Sequence, residues 1–221
     1  LIGPKIHSRN IKSIPNMFFN QLGHYSAFIS SILIYLIGSP IPYIMTLSTI
    51  ISYIYDISII YSISISILTS TLYIYTGGFK AIIRTDKLQF ILMYIGFGII
   101  VYKLISTYGG YDFLLTNVPE ANLKITENLS LSYIFSWFFI SLIIVIDPSI
   151  FQRTYSSIDI KTIKRGFLYS IGLWFIFDIL TIVTGLYASA LILESDLTAS
   201  PYLQLSEMVL SPLFYSIFII S

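Results

Sequence analysis

Apolar residues in this chain run in long blocks, not in the short alternations or one-sided stripes of a water-soluble domain. Crossing about 30 Å of hydrocarbon takes about 20 helical residues at 1.5 Å each. Six segments approach or exceed that length: roughly 24–51, 57–76, 87–106, 130–147, 166–193 and 202–221. The first is interrupted by Gly38-Ser39-Pro40-Ile41-Pro42-Tyr43, and the fourth is short and ends at Asp147-Pro148-Ser149. Inside the second, the stretch YSISISILTS (Tyr61–Ser70) alternates with period two, which in water reads as a strand. A membrane strand, however, needs only about 9–11 residues, and these apolar runs last about twice as long, on both parities and without turn residues. The pattern predicts an all-α membrane protein.

The polar residues between the blocks then become informative. Lys5, Arg9 and Lys12 precede the first span; Lys80, Arg84 and Lys87 separate the second from the third; Arg153, Lys161, Lys164 and Arg165 separate the fourth from the fifth. Of the 12 Lys and Arg residues, all but Lys103 and Lys124 therefore fall on one side if every span crosses. Asp56, Asp112, Glu120, Glu127, Glu194 and Asp196 fall on the other. By the positive-inside rule the loops 1–23, 77–87 and 148–165 are expected to be cytoplasmic.

Composition agrees with the blocks. Of the 221 residues 56% are hydrophobic and 10% charged, with a mean hydropathy of +0.83. Soluble domains carry about 25% charged residues, so this chain cannot coat a water-exposed surface. The net charge of +1 gives no reason to expect a nucleic-acid partner, because the basic residues mark sidedness. With no cysteine there are no disulfides, thiolate metal sites or cysteine nucleophiles. No nucleophile–base–orienter set and no metal-ligand cluster is visible, so no enzyme is expected. His7 and His24 are isolated from any carboxylate pair and receive no role. Leu1 is not an initiator methionine and Ser221 closes an apolar run, so residues 1–221 read as an internal piece of one transmembrane domain.

One polar stretch needs more than topology to explain it. YTGGFKAIIRTDKLQF (Tyr75–Phe90) holds Gly77–Gly78, Lys80–Ala81, Thr85–Asp86 and Gln89 amid apolar flanks. Downstream, DPSIFQRTYSSIDIKTIKRG brings Asp147–Pro148 and Gln152–Arg153, and upstream IKSIPNMFFNQLG opens on Ser-Ile-Pro and closes on Gly23. In order and interval these three motifs resemble those of the sodium/solute symporter family, over nearly the whole chain. The resemblance implies a leucine-transporter-like bundle of two inverted five-helix repeats, of which the spans here are core helices three to eight. It also implies sodium-coupled symport of a small organic solute by alternating access, in a plasma or bacterial inner membrane. The partners are then the solute, the sodium ion and the bilayer, with no cofactor beyond sodium as coupling ion. The family's shared sodium site uses the first and eighth core helices, so its ligands are expected outside this piece.

Three carboxylates stand out as pathway candidates. Asp86 lies, by the resemblance, near the route by which sodium leaves; the alternative is that Thr85 or Asp86 simply caps a helix starting near Lys87. Gly77 and Gly78 read as turn glycines tolerant of positive φ, and Lys80, Arg84 and Lys87 as orientation signals. Proline disfavours helix at the residue before it, so a break is predicted at Asp147–Pro148. Asp147 there either faces the pathway, holding a cation or an amine, or caps the segment leading to Gln152–Arg153. Asp178 sits mid-span, where a carboxylate costs about 2.5–3.5 kcal/mol to insert. It reads equally as a neutral tie to Thr181, Thr184 or Tyr169 and as a coupling-ion or proton site.

Other polar and aromatic features have structural readings. Pro40 and Pro42 are expected to kink a packed helix, and Ser64, Ser66, Ser70, Gly96 and Gly98 to allow close helix contact. Tyr25, Trp137 and Tyr202 read as interfacial anchors. Sugar-carrying family members have an aromatic gate followed by N-Q or D-Q in the sixth helix, and at least one has a lysine in the seventh. Here those positions read Ile143, Asp147–Pro148 and Trp174, so a sugar is not supported. A membrane sensor module of the same fold is the alternative to a transporter.

Overall fold

Every regular element among the described residues is a helix, so the period-two stretch at Tyr61–Ser70 is helical and no barrel strand is found there. The computed structural model describes residues 2–8, 11, 13–124, 126, 129–192 and 200–220, and of Ile2, Ser8, Lys80, Val145 and Ile146 the backbone alone. The charges expected at Arg9, Lys12, Glu127, Glu194 and Asp196 lie outside the described residues. In chain order the helices are α1 (Ile2–Ser8), α2 (Ile14–Leu22), α3 (His24–Ile37), α4 (Ile41–Tyr55), α5 (Ile59–Tyr108, broken at Gly78) and α6 (Tyr111–Asn117). There follow α7 (Glu120–Leu123), α8 (Leu131–Ile140), a 3₁₀ turn (Ser141–Ile146), α9 (Pro148–Tyr155), α10 (Ile160–Leu191), α11 (Pro201–Val209) and α12 (Pro212–Ile220).

Five helical segments are long and apolar enough to cross a membrane: His24–Tyr55, Ile59–Phe79, Ala81–Tyr108, Leu131–Tyr155 and Ile160–Leu191. The region expected as a sixth span, 202–221, forms the two nine-residue helices α11 and α12, divided between Val209 and Pro212. Pro212 has no amide hydrogen, so it can start a helix but cannot continue one.

By its contacts the chain divides into two units. The first comprises Leu1–Pro40 and Asn128–Trp174. Its core gathers Ile6, Ile11 and Ile14 from the α1–α2 region around Phe151 of α9. Ser13 caps α2, accepting from the Asn16 amide at 3.2 Å, and Gly23 (φ 84°) ends it by donating to Phe19 O at 3.0 Å. Gly3 of α1 sits so close to α10 that a Cβ there would meet Ile163 at 3.0 Å and Phe167 at 3.1 Å.

The second unit comprises Ile41–Glu127 and Phe175–Ser221. Ile100 and Leu104 of α5, Tyr187 of α10, Leu205 of α11 and Phe218 of α12 form its core. The Tyr187 hydroxyl donates to Gly109 O, at the residue whose φ of 102° ends α5. Beside this core α4 packs on α5 through small residues: Ser48, Ser62 and Ser66 are fully buried, and Ser48 Oγ donates to Ser66 Oγ at 3.0 Å. Ser62 and Ser66 are four apart, one helical turn, while Ser64 between them is exposed.

Candidate functional site

The glycine pair is a helix break of one residue. Gly78 has φ 56° and ψ −168°, backbone angles that are essentially glycine's alone, and is the one non-helical position inside α5. In an unbroken helix residues 73 and 85 would stand about 18 Å apart. Instead the Tyr73 hydroxyl and Thr85 Oγ1 are hydrogen-bonded, so the chain folds back at Gly78. Thr85 Oγ1 also lies 3.1 Å from Ala81 O and 3.0 Å from Ile82 O. Its single proton serves those carbonyls, which leaves Tyr73 as the donor between the two hydroxyls. Gly77 is fixed by the same reversal: a Cβ there would come 2.5 Å from the Ala81 Cβ.

This corrects two expectations. Residues 77–87 are not a loop, because Gly78 alone supplies the reversal and helix resumes through Ala81–Tyr108. Thr85 and Asp86 consequently lie beyond the first turn of that helical half, not at its N-cap. The helix dipole acts within the first turn, so it does not account for Asp86 either. Asp86 is half-buried, whereas Arg84, Lys87 and Gln89 are exposed. The Lys80 side chain lies outside what is described.

The second break falls where the proline predicts it. Helix α8 tightens into the 3₁₀ turn, and α9 starts afresh at Pro148 with Asp147 as its N-cap. Asp147 Oδ1 accepts from the Ser149 amide at 2.8 Å, the Ile150 amide at 3.0 Å and Ser149 Oγ at 2.6 Å. Pro148, at the first helical position, has no amide to satisfy. Gln152 and Arg153 follow on the exposed side of α9, while Phe151 and Thr154 are buried. Within the same unit α3 ends at Gly38, where a Cβ would stand 3.6 Å from Pro148 Cγ. The interruption Gly38–Pro40 in the first apolar segment and the one at Asp147–Pro148 in the fourth are thus neighbours.

Asp178 lies on α10 and its carboxylate is exposed. The threonines expected to tie it serve the helix backbone instead: Thr181 Oγ1 donates to Asp178 O at 2.9 Å, and the buried Thr184 to Leu180 O at 2.8 Å. Tyr169 is exposed at 65%. Next to Asp178, Phe177 is buried and its ring meets Tyr94 at 5.7 Å and Phe97 at 5.0 Å. A further carboxylate, Asp159 before α10, accepts from the Thr162 amide at 2.6 Å. Its hydrogen bonds to Thr162 hold its carboxyl below the usual aspartate range, helped by the charges of His7 and Arg165.

Sequence reasoning passed over Tyr73, one of many tyrosines in an apolar run, and Glu207, whose Oε2 accepts from the Tyr53 hydroxyl. Tyr202, read as an interfacial anchor, is packed against Phe97, with its hydroxyl 3.4 Å from Thr181 O. Tyr25 and Trp137 are exposed. Among the described residues no three His, Asp or Glu side chains converge.

Five membrane-capable helical segments, two of them interrupted, at Gly38–Pro40 and at Asp147–Pro148, define a multi-pass membrane protein. The model of the Sodium:solute symporter family matches residues 1–219, and the chain belongs to that family. The family's members are sodium-coupled solute transporters, not enzymes. No curated protein and no solved structure matches the chain.

Proposed function

We propose that the protein drives a small organic solute across a plasma or bacterial inner membrane with the sodium gradient. Two inverted repeats rock around a midplane site as access alternates. The basic residues face the cytoplasm. Asp86 lies on the sodium exit route, and Asp147 and Asp178 face the pathway.

The observation that carries this reading is the break at Asp147. It interrupts a 25-residue apolar segment, Leu131–Tyr155, with a 3₁₀ turn, a proline and a carboxylate. At membrane depth non-helical backbone is tolerated only where protein buries it or where it lines a watery cavity. A second helix interruption, at Gly38–Pro40, lies beside it. The carboxylate suits a cation or an amine better than a sugar hydroxyl.

The test is uptake by the whole protein in proteoliposomes, with labelled amino acids, carboxylates, vitamins, sialic acid and sugars, under a sodium gradient, a proton gradient or neither. Accumulation with sodium alone is expected. Accumulation with protons alone would overturn sodium coupling and turn attention to Asp178 and Asp147. Solute binding without uptake would favour a sensor. Asp86→Ala is expected to slow uptake several-fold; wild-type rates would remove Asp86 from the mechanism and leave the family assignment intact.

A further inference from the structure

From the geometry around Gly78 we infer that Tyr73 and Thr85 form a clasp whose task is to hold Asp86 in position for sodium. The inference rests on the exit-route reading of Asp86 proposed above. Three observations converge on the same turn. Gly78 takes angles that permit reversal but do not fix its opening, since glycine has no side chain to limit it. Gly77 and Ala81 set the closest approach of the two halves, because any larger residue at 77 would collide with Ala81. Tyr73 and Thr85 join side chains of the two halves through a hydrogen bond.

The direction of that bond matters. Thr85 gives its proton to Ala81 O or Ile82 O, so its oxygen is anchored to the second half while it receives the Tyr73 proton. Asp86 is the next residue in the same rigid helix and half-buried, so its carboxylate moves as Thr85 moves. The threonine of the T-D pair is therefore a positioning residue for the aspartate, and the tyrosine twelve residues earlier completes it.

The test uses the whole transporter in proteoliposomes, measuring uptake against sodium concentration for Tyr73→Phe, Thr85→Val, Thr85→Ser and Asp86→Asn. In parallel, spin labels at Leu72→Cys and Leu88→Cys, both exposed positions on opposite halves, report the opening in a background lacking other cysteines. Tyr73→Phe and Thr85→Val are each expected to raise the half-saturating sodium concentration three- to tenfold, with maximal rate changed less than twofold, and to broaden the label distance. The double variant should do no more than either single one, because both break one bond. Thr85→Ser, which keeps the hydroxyl, should retain the wild-type sodium requirement. An unchanged label distance in Tyr73→Phe overturns the clasp. A broadened distance with unchanged sodium dependence, while Asp86→Asn shifts it, overturns the positioning role. An unchanged sodium dependence in Asp86→Asn instead removes the exit-route reading, and with it the inference that the clasp serves Asp86.

Discussion

At Gly78 the chain turns back on itself at one residue, and the break is closed by two hydroxyls; at Asp147 it passes through a 3₁₀ turn and restarts under a carboxylate. Both breaks interrupt apolar helix, but the free energies differ in kind. Gly78 leaves the helix by torsion, and the neutral Tyr73–Thr85 bond bears no charge that an ion could compete for. Asp147 leaves it because proline removes a donor, and a charged side chain satisfies the amides that follow. The first is suited to fixing an angle. The second places a carboxylate at the break itself.

The comparison can be broken at several places. Gly78→Ala carries the largest expected cost, about 1–3 kcal/mol, because an L-residue is strained at a φ of 56° and a ψ of −168°. A clear fall in the thermal midpoint of the purified protein would show it; an unchanged midpoint would mean that glycine is not what makes this break. Asp147→Ala should cost about 1 kcal/mol through the lost cap. Asp147→Asn, which still accepts hydrogen bonds, separates the roles: a cap alone predicts near-normal stability and uptake, whereas a cation or amine contact predicts normal stability with uptake reduced tenfold or more.

Asp159 provides the smallest effect and a control. It caps α10 as Asp147 caps α9, but between the apolar segments Leu131–Tyr155 and Ile160–Leu191. Its carboxyl is depressed in the folded protein, so its contribution is present above the unfolded aspartate value near 3.9 and is lost as pH falls through the lower folded value. Asp159→Asn should therefore bring a small loss of thermal stability at neutral pH that fades on acidification below about pH 4. Uptake at neutral pH should be unchanged. A large loss of uptake would mean that a solvated cap matters as much as the one at Asp147, and the contrast between them would lapse.

Much of this was legible in the sequence, because membrane insertion is read from the length of apolar runs and helix breaks from glycine and proline. The blocks predicted helices where short alternation argued for strand, and the family motifs lay where the breaks were found. Two stretches depart from the expectation: 202–221 forms two short helices divided before Pro212, and 77–87 is helical apart from Gly78. In the latter a single glycine makes the reversal, so the polar residues around it stay helical. What the sequence could not say is which faces meet. A helix apolar all round has no stripe to mark its packed side, so nothing in the order of residues singled out Tyr73 for Thr85, Tyr53 for Glu207 or Gly38 for Pro148. Those pairs depend on the angle of each reversal and the rotation of each helix about its axis, and only the tertiary structure fixes both.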